Sequence, residues 1–492
     1  MRKSSPIEIP ISQGFYTSDS LPISHQECVN LVPVQQQVAT LSQRQLIGSD
    51  GIEQIASSGD TSDEVNRGAH VMDGVPYFVQ GSRLYRLDRG FIEGVETFSV
   101  SEVGLDPVVI TGSGRVSMAD NGYQLMIVVP GGHGFIYNKN TDVIEQVVTG
   151  IFAPDSTIKP NYVVFIDGYF ACSTTDKTWY VSNLGDGTQW DILDSGTAEA
   201  DPDPIVTPVV YNNQIFMIGS ETMEGFQNIG GSGFPFQRSN IFLDKGCFAP
   251  FSLVATNQRF FMIGGGTNEK AAVWQYSGGE FSKVSTNAID NVMDNYTDSQ
   301  LEAAFALTWA VDGQYYISFT FTDRTFVFNM STSLWHELKS GIANEYDDLE
   351  QTRWRVNSLV RAYGYTLVGD SQDGRIGKTD RNILSEYGND IIRVFSPQPI
   401  ANNGRSFRLP AVELTMEAGI GNGVVEPMVS MAISEDLKTY QYERNRRIGK
   451  IGEYKRRTIW RKLGRIPRFC SFRFRISDQI KVSIIKLEAY FA

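Results

Sequence analysis

Few residues in this 492-residue chain have the types and spacing that catalysis requires. The histidines are too scattered to form a metal site or a proton-transfer pair, and they are His25, His70, His133 and His336. Neither a G-x-S-x-G nucleophile elbow nor a phosphate-binding GxxxxGKS/T loop is present. The glycine-rich segment Thr111–Arg115 lacks the lysine and the hydroxyl of such a loop, which favours a hairpin turn. The sequence therefore predicts no catalytic residue and no enzyme.

Two closely spaced carboxylates are a candidate cation site. Asp201 and Asp203 lie close together, and hard cations prefer oxygen ligands, but each precedes a proline and no third acid stands at chelating spacing. We interpret this stretch as a loop between structural units and predict neither a metal nor another cofactor. The segments Ser117–Gly122 and Ser434–Lys438 approach the Asp-box of propeller sialidases without matching it. Because loop acids are common, a propeller glycosidase or a carbohydrate-binding propeller is the alternative class.

A dense group of cations is the strongest chemical feature of the chain. Residues 440–475 contain 13 lysines and arginines and two acids, a net charge of +11, in a chain whose total is −13. The remainder therefore carries −24, and such asymmetry between segments indicates a charged partner. A solvated strand face with basic loops is the alternative interpretation.

We predict that this window forms a partner interface made of Arg444, Arg446, Arg447, Lys455, Arg456, Arg457, Trp460, Arg461, Lys462, Arg465 and Arg468. Planar guanidinium groups bind carboxylates in a bidentate fashion, which favours an acidic protein surface as the partner. Trp460 stands between two of the arginines and is predicted to anchor that contact. The same arginines would also bind the phosphates of double-stranded DNA, and the sequence leaves both partners open.

Regularly spaced turns must position these residues. They fall at Asp73-Gly74, Asn121-Gly122, Asp167-Gly168, Asn212-Asn213, Asn257-Gln258, Asp312-Gly313 and Tyr363-Gly364. The turns recur every 45 to 55 residues, close to the ~40–50-residue period of β-propeller blades. An apolar run rich in Tyr, Phe, Ile and Val follows each turn, as strands require.

This rhythm predicts an all-β fold with a β-propeller of about seven blades, six being the alternative count, followed by a β-sandwich-like domain. An open array of β-sandwiches without ring closure is the alternative architecture. We expect an extended N-terminal arm over residues 1–32, the propeller over residues 33–388 and the basic sandwich over residues 389–492. The best candidate for a helix is Asp290–Ala310. No run reaches the ~20 apolar residues of a membrane-spanning helix, and the four widely separated cysteines predict buried free thiols.

Several segments resemble the packaged-DNA stabilisation proteins of short-tailed phages, also described as tail hub or nozzle proteins. The resemblance rests on segments that follow one another in the family's order. They are GFYTSDSLPISHQECVNLVPV near the N-terminus, Thr111–Ala119, the stretch from Ser182 to Pro204, GSETMEGFQNIGGSGFPFQR with DKGCFAPFSLV, and the basic Arg456–Ser477.

This resemblance implies a structural virion protein of the tail, assembled in the host cytoplasm, with no catalytic residues. It implies a homo-hexamer below the portal and its head-tail adaptor that closes the channel and stabilises packaged DNA. It also implies a conduit for the duplex during ejection and contacts with a tail needle or plug and with tailspikes or fibres.

Overall fold

The computed structural model describes residues 6–11, 13–18, 21, 24–35, 41–42, 44–59, 61–104, 108–199, 201, 203–231, 233–256, 258–343, 349–421, 423 and 426–491. The strands that precede the first propeller blade are β1 (Pro6–Ile9), β2 (Tyr16–Thr17), β3 (His25–Val29), β4 (Leu31–Gln35), β5 (Arg44–Gly48) and β6 (Gly51–Ser57).

Seven antiparallel sheets follow one another along the chain as blades. Blades 1 to 3 contain β7 (Asn66–Met72), β8 (Val75–Gln80), β9 (Arg83–Ile92) and β10 (Val95–Glu102); β11 (Ser117–Asp120), β12 (Gln124–Val128), β13 (Gly134–Asn138) and β14 (Val143–Gln146); and β15 (Pro160–Ile166), β16 (Tyr169–Thr174), β17 (Thr178–Asn183) and β18 (Asp186–Thr197). Blades 4 and 5 contain β19 (Ile205–Tyr211), β20 (Gln214–Gly219), β21 (Met223–Asn228) and β22 (Phe236–Leu243); and β23 (Gly246–Cys247), β24 (Val254–Thr256), β25 (Arg259–Gly265), β26 (Ala272–Ser277) and β27 (Glu280–Lys283).

Blade 6 contains β28 (Phe305–Val311), β29 (Gln314–Thr320), β30 (Thr325–Asn329) and β31 (Leu334–Ala343), with β32 (Leu349–Arg353) on β31. Blade 7 begins with β33 (Val356–Ala362), β34 (Tyr365–Asp370) and β35 (Arg375–Asp380). Two short helices, α1 (Asn287–Met293) and α2 (Asp298–Glu302), precede blade 6, and 3₁₀ turns occupy Ser62–Glu64, Gly150–Phe152 and Pro250–Ser252. Of the predicted helix over residues 290–310, the first part is helical and the last is the inner strand β28.

The ring is closed, which confirms the propeller. Inner strands of successive blades lie against each other around the ring, and β33 of the last blade contacts β7 of the first. Positive-φ turn residues join the first two strands of several blades, as at Asp73 (φ 51) with Gly74 (φ 77). The predicted turn at Asn257 lies outside the described residues.

An N-terminal strand completes blade 7. Strand β6 pairs antiparallel with β35, from Gly51 opposite Asp380 to Ser57 opposite Arg375. The β9–β10 hairpin then reaches from blade 1 onto blade 7, where the Tyr365 hydroxyl donates to Glu96 at 2.6 Å and the Phe98 ring packs edge-on against Tyr365. Ring closure therefore joins residues about 320 positions apart in sequence.

Ten strands of the described chain follow blade 7, and those from β38 onward form a β-sandwich, as predicted. They are β36 (Ser385–Glu386), β37 (Asn389–Asp390), β38 (Arg393–Ser396), β39 (Ile400–Ala401), β40 (Phe407–Met416), β41 (Met428–Ser434), β42 (Arg444–Arg447), β43 (Thr458–Ile466), β44 (Phe469–Ile476) and β45 (Ser483–Tyr490). Of these, β36 and β37 extend the sheet of blade 7. One sandwich sheet has the order β4-β5-β45-β40-β43 with β1 on β45, and the other runs β3-β38-β44-β41-β42.

The predicted N-terminal arm is wrong in one respect, because the strands β1, β3, β4 and β5 belong to the sheets of this sandwich. Ile9, Cys28, Leu31 and Leu46 are buried in one core with residues of the C-terminal strands. Apolar side chains at these positions gain free energy by leaving water, and the free edges of the sandwich sheets accept the backbone. The limit predicted at residue 33 therefore does not separate the propeller from the sandwich.

Asn30 joins the two units. It adopts φ 53, a conformation that asparagine tolerates better than most residues. Its amide donates to the carbonyl oxygens of Lys339 on β31 (2.9 Å) and Ile392 before β38 (2.8 Å), and its Oδ1 accepts from the Lys339 N–H at 2.9 Å. These three hydrogen bonds, together with the positive φ, explain why an asparagine stands at this position.

Candidate partner interface

Two cationic edge strands lie side by side along one side of the sandwich. Strand β42 is the outermost strand of one sheet and β43 of the other. They are joined by hydrogen bonds from Arg446 Nε to the Ile459 carbonyl (3.0 Å) and from Trp460 Nε1 to the Arg444 carbonyl (2.6 Å). We call β42, β43 and the segment 448–457 between them the basic edge. Charged side chains on such strands also prevent pairing with other chains.

Ten of the eleven predicted interface residues are exposed on or beside this edge. They are Arg444, Arg446, Arg447, Lys455, Arg456, Arg457, Arg461, Lys462, Arg465 and Arg468. The fold thus brings together cations from two strands and the connection between them. Whether they form an interface stays a prediction.

Trp460 is the exception and requires a correction. Its side chain is fully buried, with an exposure of 0%, and its ring packs edge-on against Phe474 at 5.5 Å between centroids. The indole belongs to the core of the sandwich because alternate residues of β43 face inward, as Thr458 also does. It therefore positions β43 and presents no surface to a partner.

Some of the arginines are held by carboxylates within the chain. Arg457 donates to both oxygens of Glu413, at 2.7 and 2.6 Å, and Arg447 lies 3.2 Å from Glu426. The hydrogen bond from Arg457 lowers the pKa of the Glu413 carboxyl below its usual range. These cations are partly neutralised and contribute less to a partner.

Other cations of the basic edge have no carboxylate partner among the described residues. They include Arg444, Lys455, Arg456 and Lys462, all exposed, whereas the charge of Arg461 adds to that of Arg457 in lowering the pKa of Glu413. A β-bulge lies in β43 at Arg461 and Lys462, since the register shifts between Leu409 and Ala411 on β40, and Lys462 takes φ 59. Arg461 and Lys462 are consecutive and both exposed.

Exposed apolar side chains lie among these cations, and the sequence analysis missed them. Tyr442 is 96% exposed, Tyr454 72% and Ile451 60%, all within or next to the basic edge. Tyrosine and arginine are the residues that contribute most often to binding energy at protein interfaces. The two tyrosines lie close to the arginines in the sequence, and this proximity could have indicated that they belong to the same surface.

Side chains from non-adjacent blades meet near the axis of the propeller. Arg115, which precedes β11 of blade 2, lies over the Phe305 ring of blade 6 at 3.8 Å, and Tyr162 of blade 3 packs against Phe251 of blade 5 at 5.2 Å. Such contacts can form only across the centre of the ring. The segment Thr111–Arg115 is therefore the connection between blades 1 and 2, and its predicted hairpin turn is wrong.

The remaining candidates for chemistry have structural partners. Asp203 accepts hydrogen bonds from the N–H groups of Glu221 (2.8 Å) and Thr222 (3.1 Å) and lies between blades 3 and 4. Within the described residues, no group of three or more His, Cys, Asp or Glu side chains could hold a metal ion. The four cysteines are free and buried, as predicted. None of the helices in the described ranges is long and apolar enough to cross a membrane.

Known proteins resemble the chain along nearly its whole length. The family models described as "Bacteriophage P22 Gp10, beta-propeller" and "Bacteriophage P22 Gp10, beta-sandwich" match residues 7–384 and 392–492. The "Tail hub protein gp10" of Salmonella phage P22 is 23% identical over 434 residues, which cover 84% of this chain and 86% of that protein.

Solved propellers are also similar. The WD40 β-propeller domain of Doa1 matches with a TM-score of 0.37 and 12% identity, over 67% of this chain and 97% of that one. The N-terminal domain of Nup159 matches with a TM-score of 0.38 and 9% identity, over 71% and 98%.

The chain belongs to the bacteriophage P22 Gp10 family, which confirms the resemblance seen in the sequence. It is a structural protein of the phage tail hub and is located in the virion tail.

Proposed function

We propose that the chain forms a homo-hexameric ring below the portal and its adaptor, which closes the DNA channel and stabilises the packaged genome. During ejection the ring is the conduit for double-stranded DNA, and it also holds a needle or plug and tailspikes or fibres. The observation that carries the proposal is the basic edge, which offers unpaired cations and exposed tyrosines on one side of a rigid sandwich.

The basic edge is suited to an acidic ring such as the adaptor. Six copies of a window with net charge +11 carry +66, and the part of this charge that carboxylates of the same chain do not neutralise must be spread, screened or met by acids on the partner. Arginine forks bind carboxylates with two parallel hydrogen bonds, and Tyr442 and Tyr454 add apolar area that such a contact can bury. The ring symmetry would repeat this contact at every subunit.

The proposed path of the duplex lies between the copies and not through any one propeller. Arg115 on Phe305 and Tyr162 on Phe251 fill the axis of each propeller. Outside the basic window the chain carries −24, and a wall of that sign repels phosphates. A wall lined with cations would instead bind the genome in a salt-dependent way and slow its exit.

Charge reversal at the unpaired cations tests the docking. The variant Arg444→Glu/Lys455→Glu/Arg456→Glu changes three exposed side chains without a carboxylate partner among the described residues. Arg457 is left intact, because a glutamate there would face Glu413 and test folding instead. Like charges across an interface cost several kcal/mol, so binding to isolated portal–adaptor complexes of the same phage should weaken by at least about tenfold.

The matched control is Arg44→Glu/Lys159→Glu/Lys177→Glu, which makes the same charge change at exposed positions away from the basic edge. It should bind like the wild type. If the first variant binds normally but assembled particles lose their DNA, the arginines contact DNA and the adaptor assignment is wrong. Copy number in purified rings, measured by mass photometry, tests the hexamer separately.

A further inference from the structure

A cavity lies at the junction between the propeller and the sandwich. Its volume is about 330 Å³, within the range of ~300–1,000 Å³ that small-molecule sites occupy. Asp312 and Arg381 line it from the propeller, and Gly48, Arg393 and Lys481 line it from the sandwich. Charged side chains of both units thus converge on one space that a small polar ligand can fill.

Arg393 forms the inner wall of this cavity. Its side chain is 1% exposed and lies close to Gly48, where an added Cβ would stand 3.0 Å from Arg393 Nε. Nη1 donates to the carbonyls of Ile391 and Asp478 only over 3.4 and 3.5 Å, which are long distances for a hydrogen bond. Nη2 has no hydrogen-bond partner among the described residues and, unlike Nε, is not shielded from the cavity. Such an open donor on a buried guanidinium requires water or a ligand to complete it.

Lys481 and two serines add further donors. Lys481 is exposed, and no carboxylate in the described part of the chain pairs with it. Ser49 and Ser483 also line the cavity, and neither hydroxyl has a hydrogen-bond partner within the ranges that the structure describes. Two cations and two hydroxyls can together satisfy the several acceptor oxygens of one oxyanion.

The carboxylate on the cavity wall is already paired. Arg381 donates to Asp312 at 2.5 Å through Nη1 and to Asp50 at 3.3 Å through Nε. Arg393 stays charged at neutral pH, since burial lowers its pKa only to about 10 and Asp390 opposes that change. The two remaining cations of the cavity therefore keep positive charge for an anion.

We propose that this cavity binds a small tetrahedral oxyanion such as inorganic phosphate. Nη2 of Arg393 donates to it from the inner wall, and Lys481 on the solvent side supplies the second positive charge. The hydroxyls of Ser49 and Ser483 bind its remaining oxygens. The site is separate from the basic edge, so it does not depend on the proposed docking.

The position of the cavity gives a bound anion a role in ring closure. Ser49 and Arg381 stand next to the seam of the ring, where β6 and β35 begin to pair at Gly51 opposite Asp380. The anion binds only the folded cavity, whose walls include the chain on both sides of this seam. Binding therefore stabilises the closed ring relative to the open one.

Titration calorimetry with inorganic phosphate, at constant ionic strength, tests the site in the full-length protein. Lys481→Gln should weaken binding at least about tenfold, the scale of a charge-assisted hydrogen bond. Lys177→Gln, at an exposed position outside the cavity, should bind like the wild type. Asp312→Asn should strengthen binding several-fold, because it removes a carboxylate from the wall and asparagine tolerates φ 50 at this turn. The exposed Glu280→Gln is its control and should have no effect.

Hydrogen exchange tests the role at the seam. Saturating phosphate should slow exchange at Gly51–Ser57 in the wild type, and the same concentration should slow it much less in Lys481→Gln. Acetate has fewer acceptor oxygens and should bind several-fold more weakly than phosphate. Absence of saturable phosphate binding to the wild type, or equal losses in Lys481→Gln and Lys177→Gln, would overturn the proposal, because water then completes the donors of Arg393. Equal affinity for acetate would contradict the tetrahedral ligand, and binding without slower exchange would contradict the effect on ring closure.

Discussion

Glu386 should make the stability of the propeller fall as pH rises through neutrality. Its carboxyl is 7% exposed, at the junction of β36 with the closing strand β6, and accepts from the Ser340 hydroxyl at 2.9 Å. Burial raises the pKa of Glu386 from 4.5 to about 7, although Arg355 nearby opposes the rise. The folded state therefore favours the protonated acid.

The sign follows from proton linkage. Because the folded pKa lies above the unfolded one, the neutral acid contributes its full stability below pH 4.5, and this contribution is lost as pH rises to about 7. A shift of this size corresponds to about 3 kcal/mol at most. The variant Glu386→Gln keeps an acceptor for Ser340 without a titrating group, so it should remove the loss.

Thermal unfolding at pH 5, 6, 7 and 8 and constant ionic strength measures the effect. At pH 8, Glu386→Gln should unfold several degrees above the wild type, and the difference should shrink steadily as pH falls to 5. The exposed Glu280→Gln on β27 is the control and should follow the wild type at every pH. Parallel curves for Glu386→Gln and the wild type would refute this reasoning about the buried acid.

Three further predictions concern buried polar groups and the core. Asp370→Asn should destabilise the propeller by about 3–5 kcal/mol in urea unfolding, because Arg355, bound at 3.0 and 2.6 Å and 3% exposed, would keep a buried unpaired charge; a change under 1 kcal/mol would contradict this. Trp460→Ala should lower the free energy of unfolding by about 3–5 kcal/mol, because it opens a cavity in the core. Tyr454→Ala should change the free energy of unfolding by no more than about 0.5 kcal/mol and reduce only adaptor binding. Equal losses of stability in the two variants would show that Tyr454 is a packing residue. Asn30→Ala should cost about 2–4 kcal/mol through unpaired backbone groups at Lys339 and Ile392, and hydrogen exchange should increase first at those two segments.

Local patterns predicted the blades because each hairpin depends on neighbouring residues. The turn at Asp73-Gly74 sets its own geometry through positive φ, and a period of blades follows from repeating it. The closing strand β6 could not be predicted in this way, because its partner β35 is about 320 residues away in the sequence. No local pattern in β6 indicates which strand it pairs with. Pairing at such separation is decided by which sheet edge remains open.

In the basic edge, too, some features could be predicted from local sequence and others depend on distant strands. Exposure of its cations could be predicted from charge alone, since burying an unpaired cation costs several kcal/mol. The ion pair of Arg457 with Glu413 could not, because β40 and β43 are neighbours only in the folded sheet. The position of Trp460 was predictable, as alternation with the exposed Arg461 places the indole on the inner face. We predicted Trp460 as an interface residue because it lies between two arginines in the sequence, and that reasoning did not consider the alternation.

Sharing the sandwich between both chain ends gives the propeller a second means of closure. To open the ring, β6 must leave β35, yet β6 follows β5, which pairs with β45 in one sandwich sheet. On the other side of the seam, the chain from β35 leads to β38, which pairs with β3 and β44 in the other sheet. Both segments that flank the seam are thus held in one core, and separating them requires that core to unfold. A force that pulls the ring apart must therefore unfold the sandwich before β6 can separate from β35. A variant that destabilises the sandwich, such as Trp460→Ala, should also increase hydrogen exchange at Gly51–Ser57.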